Sequence, residues 1–569
     1  MIKLNIKTPL FAAFFCAMAL AACTPTPGPN ADLCSVQSTP ISDIQGDGFE
    51  SPLIGQTVSV QGIVTLIRPE EGFFVEQPES DNDPRSSNGI FVQSVLIHDD
   101  IKEGDLVALR GTVAELGEGR DTQTAIASTI DLIQCTSARP MPLSVINLPL
   151  DNAGRESLEG MRVQVSGPLV ATDVFQFERG NVTLSGNGLQ YVATEVVQPG
   201  SEAAAYQARN AEYAIPVNIP ENMTFPALMV SGMSLDQFAG VVGHDQRGKR
   251  VILQSLSGFV DTTFALPQTA DPGELRVVGM NLHNYFNGDG DGAGFPTPRG
   301  AETIEEFRHQ RARIGAAIKA LSPHVVAVME LENDGFGEAS AAQDFIRLSS
   351  DATGQTWQVT RPVNDDTGGD AIAVGIFYRT DKLRAVGPSQ TLKGPEFEAS
   401  RQPQAQLFQR RDNGERLLIV INHLKSKGSC PKTGENANQN DGQGCWNPMR
   451  QASAQKMSAW ARSVAVASGT DNILILGDMN AYRNEEPIEA IRKTGFTELI
   501  EAQNQGTTYS FAFYGRHGTL DYAFGSGALL NKVQRAYIWQ VNSTLPRNME
   551  LPEPWLGFSD HDPVVVDLR

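Results

Sequence analysis

At 569 residues the chain is long enough for roughly three or four domains. Hydrophobic residues make up 41% of it and charged residues 20%, a balance that excludes a disordered or a fibrous protein. The net charge of −21 disfavours a protein that coats nucleic acid, but the segment from Glu274 onward contains 30 Lys and Arg against 35 Asp and Glu. The acidity therefore lies mainly in the N-terminal half, and the C-terminal half is compatible with a phosphate-binding cleft.

Residues 1–22 are typical of a bacterial lipoprotein signal peptide. Lys3 and Lys7 precede the apolar run PLFAAFFCAMALAAC, which is too short for a mature membrane-spanning helix. The run ends in LAAC, which resembles the lipobox, so we predict lipidation at Cys23 and a stiff tether over 23–33. An ordinary signal peptide with a chance cysteine is the alternative. The lipoprotein reading predicts export and a lipid anchor in the cell envelope, with Thr24 favouring the outer membrane, and release to the medium as a further outcome.

Four cysteines remain after the signal peptide and the lipidation site: Cys34, Cys135, Cys430 and Cys445. Because an exported protein meets oxidising conditions, we expect them to pair, and three connectivities exist. The first two cysteines bracket one segment and the last two bracket a short polar loop, so we predict the pairs 34–135 and 430–445. A zinc site is the alternative, but no pair has metal-ligand spacing and no histidine cluster accompanies them.

Two β-rich regions follow the tether. Residues 34–136 alternate apolar and polar residues in TVSVQGIVTLI, GIFVQS and DLVALRGTVAE, which predicts a small all-β domain that resembles the OB-fold modules of large secreted nucleases. A spacer without a ligand is the alternative reading. Residues 141–265 are also β-rich, for example in MRVQVSGPLV and KRVILQSLSGFV. No repeat at a fixed period relates the two regions, and ALPQTADPGELR is predicted to be a linker.

From Leu275 strands alternate with helices, and the strands end in polar residues. We expect these side chains to meet, because clefts of α/β sheets lie at the carboxyl ends of strands. The strands, with their polar residues, are LRVVGMNLHNYF with Asn281, HVVAVMELEND with Glu330, RLLIVINHLKS with His423, NILILGDMNAY with Asp478 and Asn480, GTLDYAFGS with Asp521, and SDHDPVVV with Asp560 and His561.

This ordered series resembles the endonuclease/exonuclease/phosphatase superfamily, whose members include pancreatic deoxyribonuclease. The stretches FPTPRGA, NHLKSKGS, DGQGCWN, GDMNAY and YSFAFYGRHGTLDYAF are similar to bacterial extracellular nucleases of the ExeM/NucH type. The resemblance covers residues 274–569 and implies a four-layer αββα sandwich of the DNase I-like type. The fold class is therefore multidomain, with N-terminal OB-like β modules followed by this α+β catalytic domain.

Phosphodiester hydrolysis needs an activated water and neutralised phosphoryl oxygens, and these residues can supply both. We predict that Glu330 binds Mg²⁺ or Mn²⁺ with Asn281 and Asp560, because these ions prefer oxygen ligands. Asp478 is predicted to accept the proton of the water, and Asn480 to orient a phosphoryl oxygen or the metal.

The two histidines, His423 and His561, are predicted to polarise or protonate the phosphate, each with a carboxylate behind it. The resemblance implies Asp521 as the partner of His561. Asp370, in GGDAIAVGIFYR, is the expected partner of His423.

Further polar residues have two readings each. Lys425, Lys427 and Arg450 are predicted to contact the phosphate backbone, with ordinary solvated side chains as the alternative. NGDGDGAG at 287–294 makes Ca²⁺ a further candidate, although the segment lacks the later acidic ligand of an EF-hand and a flexible insertion is favoured. Tyr509, Phe511 and Phe513 alternate along a strand, so they belong to a core or touch a base or sugar.

The sequence thus predicts a metal-dependent phosphodiesterase that hydrolyses extracellular nucleic acid, DNA rather than RNA, as a monomeric endonuclease. A lipid or inositol-phosphate phosphodiesterase of the same superfamily is one alternative. A non-catalytic DNA-binding envelope lipoprotein is the other, and it predicts a degraded site, whereas every polar position of the series is filled.

Overall fold

The computed structural model describes residues 33–94, 100–118, 121–223, 228–245, 247–260, 264–503 and 506–569. The predicted signal peptide, the lipidation site Cys23 and nearly all of the tether lie outside these residues. Within the described ranges, no helix combines the length and the apolar character that a membrane crossing requires.

The first β region is a closed five-stranded barrel. Helix α1 (Ile41–Gln45) precedes the strands, which are β1 (Thr57–Arg68), β2 (Gly72–Glu76), β3 (Gly89–Gln93), β4 (Leu106–Glu118) and β5 (Asp121–Thr136). The strand order is β1-β2-β3-β5-β4, all pairs being antiparallel except β3 with β5, and β4 closes on β1. The predicted disulfide Cys34–Cys135 ties the start of this region to β5. The closed barrel agrees with the predicted all-β domain, and the OB-like assignment stays a prediction.

The second β region repeats the pairing pattern of the first and adds one strand, β6, parallel to β7. Its elements are β6 (Ser144–Ile146), α2 (Asn152–Glu156), β7 (Arg162–Gln176), β8 (Asn181–Ser185), α3 (Ala193–Val196), α4 (Ser201–Tyr213), β9 (Ala214–Asn218), β10 (Ser234–Asp245) and β11 (Gly248–Ser257). Strands β7 to β11 close in the order β7-β8-β9-β11-β10, again with one parallel pair, β9 with β11. Two barrels of one strand order therefore precede the C-terminal domain.

The C-terminal domain contains the remaining elements. Its strands are β12 (Leu275–Tyr285), β13 (Val325–Glu332), β14 (Trp357–Val359), β15 (Ile372–Arg379), β16 (Leu383–Ala385), β17 (Gln390–Thr391), β18 (Gln404–Arg410), β19 (Arg416–His423), β20 (Ile473–Asp478), β21 (Thr497–Glu498), β22 (Phe511–Phe513), β23 (Arg516–Gly518), β24 (Asp521–Gly525), β25 (Val533–Ile538) and β26 (Val564–Leu568). Its helices are α5 (Ile304–Leu321), α6 (Ala341–Thr353), α7 (Asn447–Ser468), α8 (Glu486–Lys493), α9 (Leu499–Ala502) and α10 (Gly527–Leu530).

These strands form two sheets that pack face to face. One sheet has the order β14-β15-β13-β12-β26-β25, and the other has the order β16-β18-β19-β20-β24-β21 with β17 beside β18. An apolar layer fills the space between the sheets. Helices α5 and α6 pack on the outer face of the first sheet, and α7 and α8 on that of the second. The domain is therefore the four-layer α/β sandwich that the sequence predicts.

The site is positioned by the central strands. Strands β12 and β13 are parallel neighbours in one sheet, and β19 and β20 are parallel neighbours in the other. Their sequences are continuous apolar runs because both faces of each strand are covered. Each run ends in a polar residue at the carboxyl end of its strand, so the polar ends meet at one edge of the sandwich.

A buried ion pair joins the first strand of the domain to the last. Arg276 on β12 pairs with Asp567 on β26 through two contacts of 2.7 and 2.8 Å, and both side chains are almost fully buried. Arg276 also donates to the carbonyl of Leu321 at the end of α5, and Arg535 contacts Asp567 at 3.0 Å. The pair therefore joins β12, β25, β26 and α5 at the edge opposite the polar strand ends.

We expect Asp567→Asn to lower the free energy of unfolding of this domain by about 3 to 5 kcal/mol, because it leaves the buried guanidinium of Arg276 without a counter-charge. Urea unfolding followed by tryptophan fluorescence measures it, since all five tryptophans lie between Trp357 and Trp555. Asp365→Asn, which breaks the exposed pair with Arg361, is the control and should cost less than about 1 kcal/mol. Equal losses in both variants would contradict the role of the buried pair.

Candidate active site

The polar ends of four central strands form one cluster. The amide Nδ2 of Asn281 lies 3.4 Å from Oε1 of Glu330 and 3.5 Å from Oδ2 of Asp478. His423 completes the cluster, since its Nε2 lies 3.3 Å from Oδ2 of Asp478 and 4.0 Å from Oε1 of Glu330. Two residues of each sheet thus meet in the cleft at the common edge.

Two predicted site residues have left-handed backbone conformations. Glu330 has φ 61°, a value that a glutamate adopts at a cost, and Asn480 has φ 47°, a value that asparagine adopts more readily. Hydrogen bonds hold both: Oε2 of Glu330 accepts the backbone N–H of Asn284 at 2.9 Å, and the N–H of Asn480 donates to Oδ1 of Asp478 at 2.8 Å. The side chain of Asn480 donates to the carbonyl of Leu424 at 3.2 Å. The strained backbone therefore lies at Glu330, the predicted metal ligand.

His561 and Asp521 form a buried pair beside this cluster. Nδ1 of His561 lies 2.7 Å from Oδ2 of Asp521, and the same oxygen accepts the hydroxyl of Ser510 at 2.7 Å. Burial opposes a charge on His561, but the carboxylate of Asp521 outweighs it and holds the pKa of His561 well above its usual value. The imidazole is therefore protonated at neutral pH.

His423 has the opposite character. Burial, reinforced by the charge of Arg401, holds the pKa of His423 well below its usual value, so this imidazole is neutral. Its Nδ1 has no hydrogen-bond partner among the described residues. The predicted pairing with Asp370 is therefore wrong. Asp370 approaches from the sheet that does not contain His423, and its carboxylate faces Arg299 at 3.6 Å and Arg401 at 3.9 Å.

Asp478, Asp521 and His561 are a buried group whose candidate ligand atoms all lie within 4.8 Å of one another, in the part of the chain that the structure describes. Because the imidazole of His561 is protonated, it has no lone pair to offer a metal. Burial raises the pKa of the Asp478 carboxyl, with the charge of His561 opposing the effect. This group is therefore suited to moving protons, and the oxygens of Glu330, Asn281 and Asp560 remain the better candidates for a metal.

Two site residues are absent from the sequence-based set. Nδ1 of His283 lies 2.8 Å from Oδ1 of Asp560, and the hydrogen bond with Asp560 raises the pKa of His283. Arg401 is buried, donates to the carbonyl of Leu424 at 3.0 Å and bears on the pKa of His423. His283 follows Asn281 by two residues in a predicted strand, a spacing that could have indicated it. Nothing in the sequence around Arg401 distinguishes it from an exposed arginine.

Two of the three predicted phosphate-contacting residues are engaged elsewhere. Nζ of Lys427 lies 2.6 Å from Oε2 of Glu485, and burial lowers the pKa of Lys427 to about 8. Arg450 is fully buried and donates to backbone carbonyls of the loop that the predicted disulfide Cys430–Cys445 closes. Arg450 was wrongly predicted as a substrate contact, because its buried guanidinium binds backbone carbonyls of the loop. A phosphate contact of Lys427, which is paired with Glu485, stays a prediction. Lys425 is partly exposed beside the ring of Trp446 and stays a candidate.

Two aspartates near the site stabilise loops by accepting backbone N–H groups. In the segment 287–294, Asp289 accepts the backbone N–H groups of Asp291 and Ala293, which organises the turn, and Ca²⁺ binding there stays a prediction. Asp562 accepts the N–H groups of Val541 and Asn542.

The second barrel contributes side chains to the back of the site. The buried carboxylate of Glu195 on α3 lies 3.1 Å from Nε of Arg483 and accepts the backbone N–H of Thr519 at 3.0 Å. The hydroxyl of Thr194 donates to Glu485 at 2.7 Å. Arg483 and Glu485 follow Asn480 in one loop, and Thr519 precedes Asp521. The second barrel therefore fixes the two segments that carry three predicted catalytic residues.

The two facing sheets and the polar cluster at their shared edge define a DNase I-like domain. Residues 286–561 of the C-terminal domain match the model of the Endonuclease/Exonuclease/phosphatase family. This confirms the predicted superfamily, whereas the likeness to ExeM/NucH-type nucleases stays a prediction. No curated protein matches the chain in sequence.

Solved structures with similarity to the chain come from bacteria and animals. The human Nocturnin catalytic domain has a TM-score of 0.35 and 17% identity, over 53% of this chain and 96% of that chain. An endonuclease/exonuclease/phosphatase from Bacteroides vulgatus has a TM-score of 0.36 and 16% identity, over 52% and 98%. A mannosyl-6-phosphatase from Bacteroides thetaiotaomicron has a TM-score of 0.36 and 17% identity, over 52% and 99%.

The contact between the second barrel and the catalytic domain should weaken in acid through His517 on β23. The imidazole of His517 is fully buried with Nδ1 3.1 Å from the carbonyl of Gln190, and burial lowers its pKa to about 4. The unfolded chain binds a proton near pH 6.5 and the folded chain does not, so stability is lost as the pH falls from 6.5 to 4. We expect this group to contribute about 3 kcal/mol to that loss.

His517→Asn keeps a donor for Gln190 but does not titrate, so its unfolding free energy should fall less between pH 7 and pH 4. Tryptophan-detected urea unfolding at a series of pH values measures the difference. His309→Asn, which replaces an exposed histidine of α5, is the control and should retain the wild-type acid sensitivity. An unchanged acid sensitivity in His517→Asn would refute the assignment.

Proposed function

We propose that the protein is a divalent-metal-dependent phosphodiesterase that hydrolyses extracellular nucleic acid, most specifically a deoxyribonuclease of the endonuclease type. The observation that carries the proposal is the pairing of a protonated histidine, His561 held by Asp521, with the buried carboxylate of Asp478 in one cleft. A phosphate there meets a cation on one side and a proton acceptor on the other. The match of residues 286–561 to the Endonuclease/Exonuclease/phosphatase family supports phosphoester hydrolysis.

The residues fit a hard divalent cation. Within the described residues, Oε1 of Glu330 accepts a hydrogen bond from the amide of Asn281 at 3.4 Å, and Nε2 of His423 lies 4.0 Å away, so this carboxylate oxygen has no Lys or Arg partner there. Asp560 carries a second carboxylate to the same cleft through its contact with His283. Glu330, Asn281 and Asp560 would therefore hold Mg²⁺ or Mn²⁺, which prefer oxygen ligands. Such an ion, when bound, neutralises negative charge on the phosphoryl oxygens.

Side chains of the protein carry out the proton transfers and position the reacting groups. Asp478 accepts the proton of the attacking water, and its raised pKa makes it a stronger base than an exposed carboxylate. His561 stabilises the developing negative charge and donates a proton to the leaving oxygen. Nε2 of neutral His423 lies 3.3 Å from Oδ2 of Asp478, so this imidazole packs directly against the proposed proton acceptor. Asn480 orients the carboxylate of Asp478 from its backbone N–H.

We also propose export and a lipid anchor at Cys23 in the cell envelope, on the support of the lysine-flanked apolar run and the LAAC motif. The substrate would then be DNA outside the cell. The two disulfides suit an oxidising compartment.

Purified protein should cleave plasmid and linear DNA with Mg²⁺ or Mn²⁺ and lose the activity with EDTA. Glu330→Gln should lower the rate by at least about a hundredfold and weaken Mn²⁺ binding in calorimetry, because it removes a charged ligand oxygen. Glu332→Gln, two residues further along β13, is the control and should keep both properties, since Glu332 accepts the N–H of Asn287 outside the cluster. Hydrolysis of sphingomyelin but not of DNA would favour the lipid phosphodiesterase instead.

Removal of His561 should act on the rate of the chemical step. We expect His561→Ala to lower kcat at least about a hundredfold, and Asp521→Asn to cause a substantial part of that loss. The double variant should lose little more than His561→Ala, because the two residues act as a unit. Rates and melting temperatures of the three variants distinguish this from a structural role, which would lower stability and leave kcat near the wild-type value.

A further inference from the structure

A hairpin beside the active site carries exposed aromatic side chains. Strands β22 and β23 form a separate two-stranded sheet, joined by Tyr514 and Gly515. Phe513 is 58% exposed and Tyr514 is 80% exposed, although large aromatic side chains usually gain free energy from burial. Core packing therefore does not account for these two rings.

The rings continue into the active site. The ring of Phe511 lies 4.6 Å from the imidazole of His561, centroid to centroid. Phe511 and Phe513 are nearly parallel at 6.4 Å, and Phe513 and Tyr514 are 4.5 Å apart at 74°. We call Phe511, Phe513 and Tyr514 the aromatic strip. It leads from the hairpin tip to the histidine that faces the proposed phosphate.

The turn at the tip contains two residues in the left-handed region. Tyr514 has φ 48° and Gly515 has φ 68°, the left-handed pair of a tight hairpin turn in which asparagine and glycine are favoured. A tyrosine at the first position costs stability, and its ring makes no compensating burial. Gly515 is needed because a Cβ there would lie 2.5 Å from Cβ of Asp173 in the second barrel. The barrel thus supports the tip from beneath while the rings face outward.

Positive charge flanks the strip. Arg516 stands opposite Phe513 in the hairpin and has no ion pair with any residue that the structure describes. A ligand along the strip therefore meets flat apolar faces next to the guanidinium of Arg516, which suits a chain of alternating rings and phosphates.

We propose that the aromatic strip stacks the unpaired bases of a single nucleic-acid strand whose phosphate enters the cleft at His561. Single strands expose the faces of their bases, whereas bases in a duplex cover one another, so stacking on protein rings selects unpaired nucleotides. The proposal rests on the proposed function, since it supplies the substrate class for that same cleft. A lipid surface is disfavoured because the strip ends on a buried histidine inside the cleft.

The test uses the full-length protein in EDTA, so that binding is measured without cleavage. Fluorescence anisotropy compares a single-stranded oligodeoxynucleotide with an abasic oligomer of equal length, which has the phosphates but no bases. We expect the wild type to bind the base-containing strand at least about tenfold more tightly. Phe513→Ala with Tyr514→Asn should bring this ratio close to one, whereas affinity for the abasic oligomer should change little.

Two controls make the result specific. Tyr514→Asn alone should not lower the melting temperature, because asparagine tolerates the left-handed turn. A loss of binding in this variant is then due to the loss of the tyrosine ring. Phe49→Ala removes a 49% exposed ring of the first barrel and should leave the ratio unchanged.

Three results would overturn the proposal: an equal affinity of the wild type for the two oligomers, a ratio that survives the double variant, or strip-dependent binding to phosphatidylglycerol vesicles without base-dependent binding. Base-dependent binding by a protein that hydrolyses no phosphodiester would refute the proposed function and leave the strip intact. Hydrolysis of DNA without base-dependent binding would refute the strip alone.

Discussion

The apolar layer between the two sheets determines where chemistry can take place in this molecule. Side chains such as Val277, Ile421 and Leu476 fill that layer with almost no exposure. An unpaired charge in such a layer would cost several kcal/mol, so charged groups are confined to the edges of the sandwich. One edge is closed by the Arg276–Asp567 pair, and the other receives the polar ends of the parallel strands. The same burial raises the pKa of Asp478 and lowers that of His423, so stability and reactivity have one origin.

The fold of the C-terminal domain and the centre of its site could be predicted from the sequence, because both depend on a local pattern. An apolar run that ends in a polar residue shows a buried strand and the point where it reaches the edge. Glu330, Asp478 and His423 can be predicted for this reason. The ion-pair and hydrogen-bond partners of other polar residues cannot be predicted in this way. Asp370, Lys427 and Arg450 each needed an opposite charge or an acceptor, but their sequence does not say which loop supplies it.

Local backbone conformation is a second property that the sequence pattern does not predict. His283 contacts Asp560 because the chain turns into the left-handed region at the end of β12, a change that strand alternation does not show. The common strand order of the two barrels was not predicted, for a related reason. Their common strand order is a property of backbone pairing, and many apolar and polar alternations can satisfy it. Two regions without a sequence repeat can therefore share one architecture.

The contact of Glu195 with Arg483 and Thr519 has a consequence for how such chains can be recombined. By sequence, a chimaera would be cut in the linker near residue 270, and each half would keep its own apolar core. That cut separates a buried carboxylate from the guanidinium that balances it, and exposes the loop behind Asp478 and Asn480 to water. The segment that must stay together to keep the site intact is therefore longer than the segment that forms one hydrophobic core. An exchange of barrels between relatives would succeed only if the segment around α3 travels with the catalytic domain.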